Sequence, residues 1–399
     1  MTATTDRRPP SAAGRRTGAG QPRRPAGAAT KPQPRDPSTR WPGSASVLLA
    51  AVVVLSLIGL VMVLSASSVE SLRHYGSPWH FFERQLVWLV VGSAGLAIAI
   101  RVDHRAWRRL APLGMAATVV LLVAVLVPGV GVRASGASRW LGNASLQIQP
   151  SELAKLALVF FAADVIDRRS ARPQWRYQLM PVLLVVGVLV VLVMKQPDMG
   201  TTMVLVCIAL AMVFTAGLPW KPLLGVLGLA GGAGLVMAMA APYRWRRLTA
   251  FIHPQSDAGD SGYQSVQALA FLSHGRLIGD GIGSSIGSSG YLPNAKTDFI
   301  FAVVGEETGL VGGVLLAGLF LALGLIGTRI ACRATSTYSA LVAAGITAWL
   351  VSQAIINIGA VVGLLPVTGV PLPFVSFGGT SLVIAMFGAG VLTNIAVKG

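Results

Sequence analysis

Four polar clusters interrupt an otherwise apolar chain, and each holds side chains able to do chemistry. The richest is Tyr291-Leu-Pro-Asn-Ala-Lys-Thr-Asp-Phe-Ile-Phe-Ala-Val-Val-Gly-Glu-Glu-Thr-Gly309, where a long polar stretch runs into an apolar block at Asp298. A carboxylate at such a boundary either caps the following helix, by accepting from its unpaired N–H groups, or takes a proton from a bound hydroxyl beside Lys296. Glu306 and Glu307 follow some two turns deeper. Bare carboxylates are costly there, so both are expected to be protonated or paired, in a structural role.

Gln149-Pro-Ser-Glu-Leu-Ala-Lys155 sets Glu152 and Lys155 on one face of a helix that Pro150 suits at its start. The pair either neutralises itself and locks helices together, or offers Lys155 to a substrate. Lys195-Gln-Pro-Asp-Met-Gly-Thr-Thr202 reads as a turn between helices. Asp198 either caps the next helix or, with Lys195, holds a phosphate or divalent ion at the mouth of an outward cavity. Gly363-Leu-Leu-Pro-Val-Thr-Gly-Val-Pro-Leu-Pro-Phe-Val-Ser-Phe-Gly-Gly-Thr380 contains three prolines and four glycines, so it cannot be a straight helix. It is expected to be a re-entrant loop, with Gln353 and Asn357 of the preceding helix satisfying its backbone groups. Gly279-Asp-Gly-Ile-Gly-Ser-Ser-Ile-Gly287 lacks the spacing and the preceding strand of a nucleotide-binding loop.

The elements that must position these clusters are ten apolar blocks, at about 46–64, 85–100, 111–130, 150–166, 179–194, 200–217, 222–241, 299–327, 338–361 and 378–397. The 399 residues are 53% hydrophobic and 12% charged, about half the usual charged share. Helices near twenty residues long span a bilayer core of about 30 Å, so a soluble enzyme is excluded. Cys207 and Cys332 build no disulfide framework or cysteine zinc site, and the five histidines lack an HExxH spacing. Residues 1–45 carry nine Lys/Arg against Asp6 and Asp36 in a Pro- and Gly-rich stretch. They read as a disordered basic tail lying near anionic lipid rather than as a nucleic-acid binder.

An even number of blocks puts both termini on one side. The basic tail, Arg101 to Arg109, Arg168 to Arg176, Lys221, and Arg329 with Arg333 fall on that same side, which makes it cytoplasmic. The outer side receives 65–84, 131–149, 195–199, 242–298 and 362–377. Stretch 242–298 holds five Lys/Arg and four Asp, with Trp245, Phe251, Tyr263, Phe271 and Tyr291 among its aromatics. It is expected to order as a lid on the membrane surface, with an amphipathic helix near Val266 to Leu272.

Together and in this order, Gln149-Pro-Ser-Glu-Leu-Ala-Lys155, Gln196-Pro-Asp-Met-Gly200, Thr297-Asp-Phe-Ile-Phe-Ala-Val-Val-Gly-Glu-Glu307 and Pro366-Val-Thr-Gly-Val-Pro-Leu-Pro-Phe-Val-Ser-Phe-Gly-Gly379 resemble the SEDS family (shape, elongation, division and sporulation) of peptidoglycan glycosyltransferases. The resemblance covers 46–397 and leans toward the division branch rather than the elongation branch. It implies an all-α polytopic membrane domain of ten transmembrane helices, with both termini cytoplasmic and a large extracytoplasmic loop between helices 7 and 8. It implies an essential carboxylate at Asp298, a residue important for activity at Trp140, and an intramembrane salt bridge between Glu152 and Lys155.

The implied reaction is polymerisation of lipid II into glycan strands at the outer face of the cytoplasmic membrane, at the division septum. Asp298 is then the general base, and a sugar hydroxyl displaces undecaprenyl pyrophosphate. The departing pyrophosphate needs positive charge, for which Arg139, Lys155, Lys195, Arg244, Arg246, Arg247 and Lys296 are candidates. A divalent cation, Mg or Mn, held by Asp198 would share that load. The implied partners are a class B penicillin-binding protein acting as transpeptidase, other division proteins and membrane lipids, with no nucleic acid. A transporter that flips lipid II without chemistry, an elongation-type polymerase and a scaffold for division proteins are the alternatives.

Overall fold

The computed structural model describes residues 43–134, 137–142, 147–170, 174–222, 224, 225, 228, 232, 262–284 and 292–398. Most of the basic tail, most of the block expected at 222–241, and Arg244, Arg246 and Arg247 lie outside the described residues. The fold is mostly helical. Its described helices are α1 (Gly43–Tyr75), α2 (His80–Arg101), α3 (His104–Leu126), α4 (Pro150–Arg168), α5 (Trp175–Lys195), α6 (Met199–Thr215), α7 (Tyr263–His274), α8 (Ile300–Arg333), α9 (Thr337–Val361) and α10 (Gly379–Lys398). Seven of them, α1, α2, α3, α5, α8, α9 and α10, are long and apolar enough to cross a membrane. α6 is 17 residues long. α4 carries Glu152, Lys155, Asp164, Asp167 and Arg168, and it packs against α3, α5, α6 and α9.

Two features depart from the expected connections. α1 runs on to Tyr75 instead of stopping near 64, so the connection expected at 65–84 shrinks to 76–79. The polar residues Ser65, Ser67 and Ser71 are buried in this extension, and each hydroxyl has a partner. Ser67 donates to Val63 O and Ser71 to Ser77 O, both at 2.6 Å, while Ser65 donates to Glu307. The second departure is a three-stranded antiparallel sheet in the expected loop 131–149, formed by β1 (Gly131–Ala134), β2 (Ala137–Gly142) and β3 (Gln147–Ile148). Val132 is the register partner of Trp140, with an irregularity just after Val132.

Small residues let the helices approach closely, as packing within lipid requires. A β-carbon on Gly390 of α10 would lie 2.6 Å from Leu96 O of α2, and one on Gly59 of α1 would lie 2.5 Å from Phe374 O. Gly59 is halfway along α1, so the non-helical segment between α9 and α10 reaches deep into the bundle, as the re-entrant reading requires. One end of the bundle is tied by charge. Arg108 binds Asp164 at 2.6 Å and Asp167 at 2.7 Å, and Arg168 binds Asp164 at 2.7 Å. His104 lies between Asn394 and Ser339, and Lys398 reaches Arg101 O at 3.1 Å. The α2–α3 and α4–α5 connections, the start of α9 and the end of α10 therefore gather together.

α8 is broken at Gly309, whose φ of +68° and ψ of −169° leave the helical region. A break inside an apolar bundle strands carbonyl and amide groups, which must find partners. The backbone after α7 supplies them: Asp280 and Gly281 donate to Glu306 O and Glu307 O at 3.2 and 3.0 Å, and Leu310 and Val311 donate to Arg276 O and Leu277 O at 2.9 and 3.2 Å. The glycine-rich stretch that resembled no nucleotide loop thus plugs a broken helix. A β-carbon on Gly279, where φ is +86°, would lie 2.2 Å from Glu307 O, whereas one on Gly283, at φ +87°, meets nothing. Gly279→Ala should therefore lower the unfolding temperature and folded yield well beyond Gly283→Ala, which adds only the left-handed strain of about 1–3 kcal/mol. Equal unfolding temperatures for the two variants would show that the plug does not hold the break.

Candidate active site

Asp298 lies in the turn 293–299, one residue before the N-cap of α8, which is Phe299. Phe299 and not Asp298 therefore occupies the N-cap position. The turn closes on Asn294 O, which accepts from the N–H groups of Thr297, Asp298 and Phe299 at 3.0, 3.1 and 3.3 Å. Asn294 itself has φ +60°, a conformation that asparagine tolerates better than most residues. Helix α9 fixes the turn from the other side: Asn357 Nδ2 donates to Asp298 O at 2.8 Å. Asp298 is half-buried.

Arg139 of β2 comes to the same place. Its Nε donates to Gln196 O at 3.0 Å and its Nη2 to Pro197 O, which fixes the guanidinium against the turn between α5 and α6. Gln196 is held in turn by donating to Leu122 O at 3.1 Å. The outer edge of the guanidinium faces Gly369. A β-carbon there would lie 3.6 Å from Asp298 Oδ2 and 3.8 Å from Arg139 Nη1. Carboxylate and guanidinium thus both lie beside the bare face of one glycine, whose φ of +74° suits glycine. Trp140, the next residue on β2, is half-buried.

Asp198 is buried and is the N-cap of α6. Its Oδ1 accepts from Thr201 N–H at 3.0 Å and its Oδ2 from Thr201 Oγ1 at 2.8 Å. Among the described residues no three His, Cys, Asp or Glu side chains gather as a metal site. Each carboxylate oxygen accepts one hydrogen bond from Thr201, so Asp198 serves as the cap of α6. Lys195, the last residue of α5, is exposed. Lys296 is drawn to the C-terminal end of α1, where its ammonium pairs with Glu70 and lies 3.7 Å above the Phe81 ring. Glu70 was not singled out from the sequence; a carboxylate at the polar end of an apolar block was its only signal. Arg246 is outside the described residues.

Glu152 and Lys155 form an ion pair at 2.8 Å, both fully buried. Lys155 Nζ also donates to Gln353 Oε1 at 2.7 Å and lies 5.4 Å from the Trp349 ring centre. Trp349 Nε1 donates to the same Gln353 oxygen at 2.8 Å, and Gln353 Nε2 donates to Pro371 O at 2.8 Å. The pair therefore ties α4 through α9 to the re-entrant segment two residues from Gly369. It supports the site from behind instead of opening onto it.

A family model for the cell cycle proteins FtsW, RodA and SpoVE matches residues 45–399. A Mycobacterium tuberculosis protein named probable peptidoglycan glycosyltransferase FtsW is 40% identical over 376 residues, covering 92% of this chain and 72% of that one. Stage V sporulation protein E of Bacillus subtilis is 40% identical over 357 residues, covering 88% of this chain and 97% of that one. Among solved structures, a chain of a peptidoglycan synthase complex that coordinates polymerization and crosslinking matches with a TM-score of 0.72 and 29% identity, covering 88% of this chain and 96% of that one. The rod shape determining protein RodA of Thermus thermophilus matches with a TM-score of 0.65 and 28% identity, covering 88% of this chain and 95% of that one.

Proposed function

We infer the activity from the chain's family: it belongs to the cell cycle proteins FtsW, RodA and SpoVE. Our reading is a peptidoglycan glycosyltransferase of cell division that polymerises lipid II at the outer face of the cytoplasmic membrane. The observation that carries it is that the Asp298 carboxylate and the Arg139 guanidinium both lie beside Gly369. Glycosyl transfer needs two things in one place, a base for the attacking hydroxyl and positive charge for the departing pyrophosphate.

The sugar hydroxyl of one lipid II gives its proton to Asp298 as its oxygen bonds to the anomeric carbon of the other substrate. The bond from that carbon to the pyrophosphate oxygen breaks, and the electron pair leaves with the undecaprenyl pyrophosphate. Arg139 takes the developing negative charge. Its two hydrogen bonds to backbone carbonyls already fix the guanidinium, so it needs no reorganisation as the charge appears. Of the basic side chains considered from the sequence, Arg139 is the described one best placed for this: Lys155 is enclosed and Lys296 is paired with Glu70. The basic end of the bundle that gathers Arg101, Arg108 and Lys398 is the cytoplasmic end in this reading, which puts Asp298 outside. A crosslinking transpeptidase of the class B penicillin-binding type is the partner, and the division septum the location.

The test is glycan synthesis by the purified protein in detergent, where flipping has no meaning. Polymer longer than the disaccharide unit should accumulate from lipid II alone. A well-folded protein that makes no polymer in detergent, yet moves lipid II across vesicle membranes, would replace the enzyme with a transporter.

A further inference from the structure

The consecutive carbonyl groups of Lys296, Thr297 and Asp298 all bind outside their own turn and helix. Phe377 N–H donates to Lys296 O at 2.9 Å, Ser376 Oγ to Thr297 O at 2.5 Å, and Asn357 Nδ2 to Asp298 O at 2.8 Å. A helix start asks for none of this, because the groups it leaves unpaired are N–H groups. Carbonyls ahead of a half-buried turn are ordinarily left to water. Here each meets a donor from α9 or from the re-entrant segment.

Two of these donors are side chains fixed at both ends. Asn357 is 2% exposed and spends its second amide hydrogen on Val370 O at 2.8 Å. Ser376 is 4% exposed and accepts from Leu372 N–H at 2.8 Å while it donates to Thr297 O. Each thus joins the turn that carries Asp298 to the segment that carries Gly369, against which the Asp298 carboxylate and the Arg139 guanidinium rest.

We propose that Asn357 and Ser376 are positioning residues for Asp298: by pinning successive peptide groups of its turn to the re-entrant segment, they hold the carboxylate at Gly369 opposite Arg139. Neither side chain touches the reacting atoms. The proposal rests on the base role given to Asp298 above. A proton-accepting group works only at hydrogen-bond reach, and displacement by about 1 Å costs on the order of 10²-fold in rate. Releasing one peptide group should therefore lower turnover far more than it weakens substrate binding.

The experiment measures steady-state polymerisation against lipid II concentration for purified Asn357→Ala, Ser376→Ala, Ser376→Thr and Asp298→Asn, with thermal unfolding of each. The expected result is a kcat lowered by about tenfold to 10²-fold in both alanine variants with KM within about twofold, and most of the rate regained in Ser376→Thr, which keeps the hydroxyl. If Asn357→Ala does not fold, the two Ser376 variants decide alone, because they differ from wild type by one oxygen or one methyl group. Well-folded alanine variants with full kcat, beside an inactive Asp298→Asn, would overturn the positioning role and leave the base role standing. A loss in Ser376→Ala that Ser376→Thr does not regain would also overturn it, because packing rather than the hydroxyl would then be at work. An active Asp298→Asn would instead remove the base reading itself.

Discussion

Asp298→Asn is expected to fold normally and to lose polymerisation by at least the roughly 10²-fold that a general base contributes. Asparagine keeps the shape of aspartate and the backbone carbonyl that Asn357 holds at 2.8 Å. The helix start does not depend on the change either, since the N-cap of α8 is Phe299. What asparagine lacks is a group that accepts a proton. The measurement is the rate of polymer formation at saturating lipid II, beside binding of lipid II to the same variant. If Asp298 acted only by holding substrate, binding would weaken and higher lipid II would restore the rate. Near-normal polymer from the folded variant would end its assignment as the base.

How much of this was legible in the sequence depended on whether a residue's cost could be seen without its partner. Asp298, Glu152 and Lys155 stand out because polar groups among apolar ones need a reason at any depth of a membrane. The proline and glycine content of 363–380 ruled out a helix, and Gln353 and Asn357 were then the nearest donors to satisfy it, as they do at Pro371 O and Val370 O. The amphipathic helix near 266–272 is present as α7. The break in α8 was illegible because Gly309 is one of many glycines in apolar blocks, and the backbone that repairs it lies some thirty residues earlier in the chain. The small sheet was missed because strands of two to six residues do not establish an alternating pattern. Lys296 looked available for a pyrophosphate because its partner Glu70 is 226 residues away in sequence.

The buried ion pair carries the second large effect, on stability rather than rate. Removing Glu152 leaves the Lys155 ammonium fully enclosed, with Gln353 Oε1 as its remaining hydrogen-bond acceptor and the Trp349 ring nearby. Stranding one member of such a pair costs about 3–5 kcal/mol, a large share of the stability of most folded chains. Glu152→Ala should therefore sharply reduce the amount of monodisperse protein recovered and its unfolding temperature. Lys155→Met should be milder, because a flexible apolar side chain fills the space against Trp349. The contacts through Gln353 to Pro371 O add that even mild loss of the pair should loosen the segment bearing Gly369. Normal yield and unfolding temperature for Glu152→Ala would remove the pair from the list of forces holding the site. Full polymerase activity in a normally folded Lys155→Met would show instead that the site's geometry does not depend on the pair.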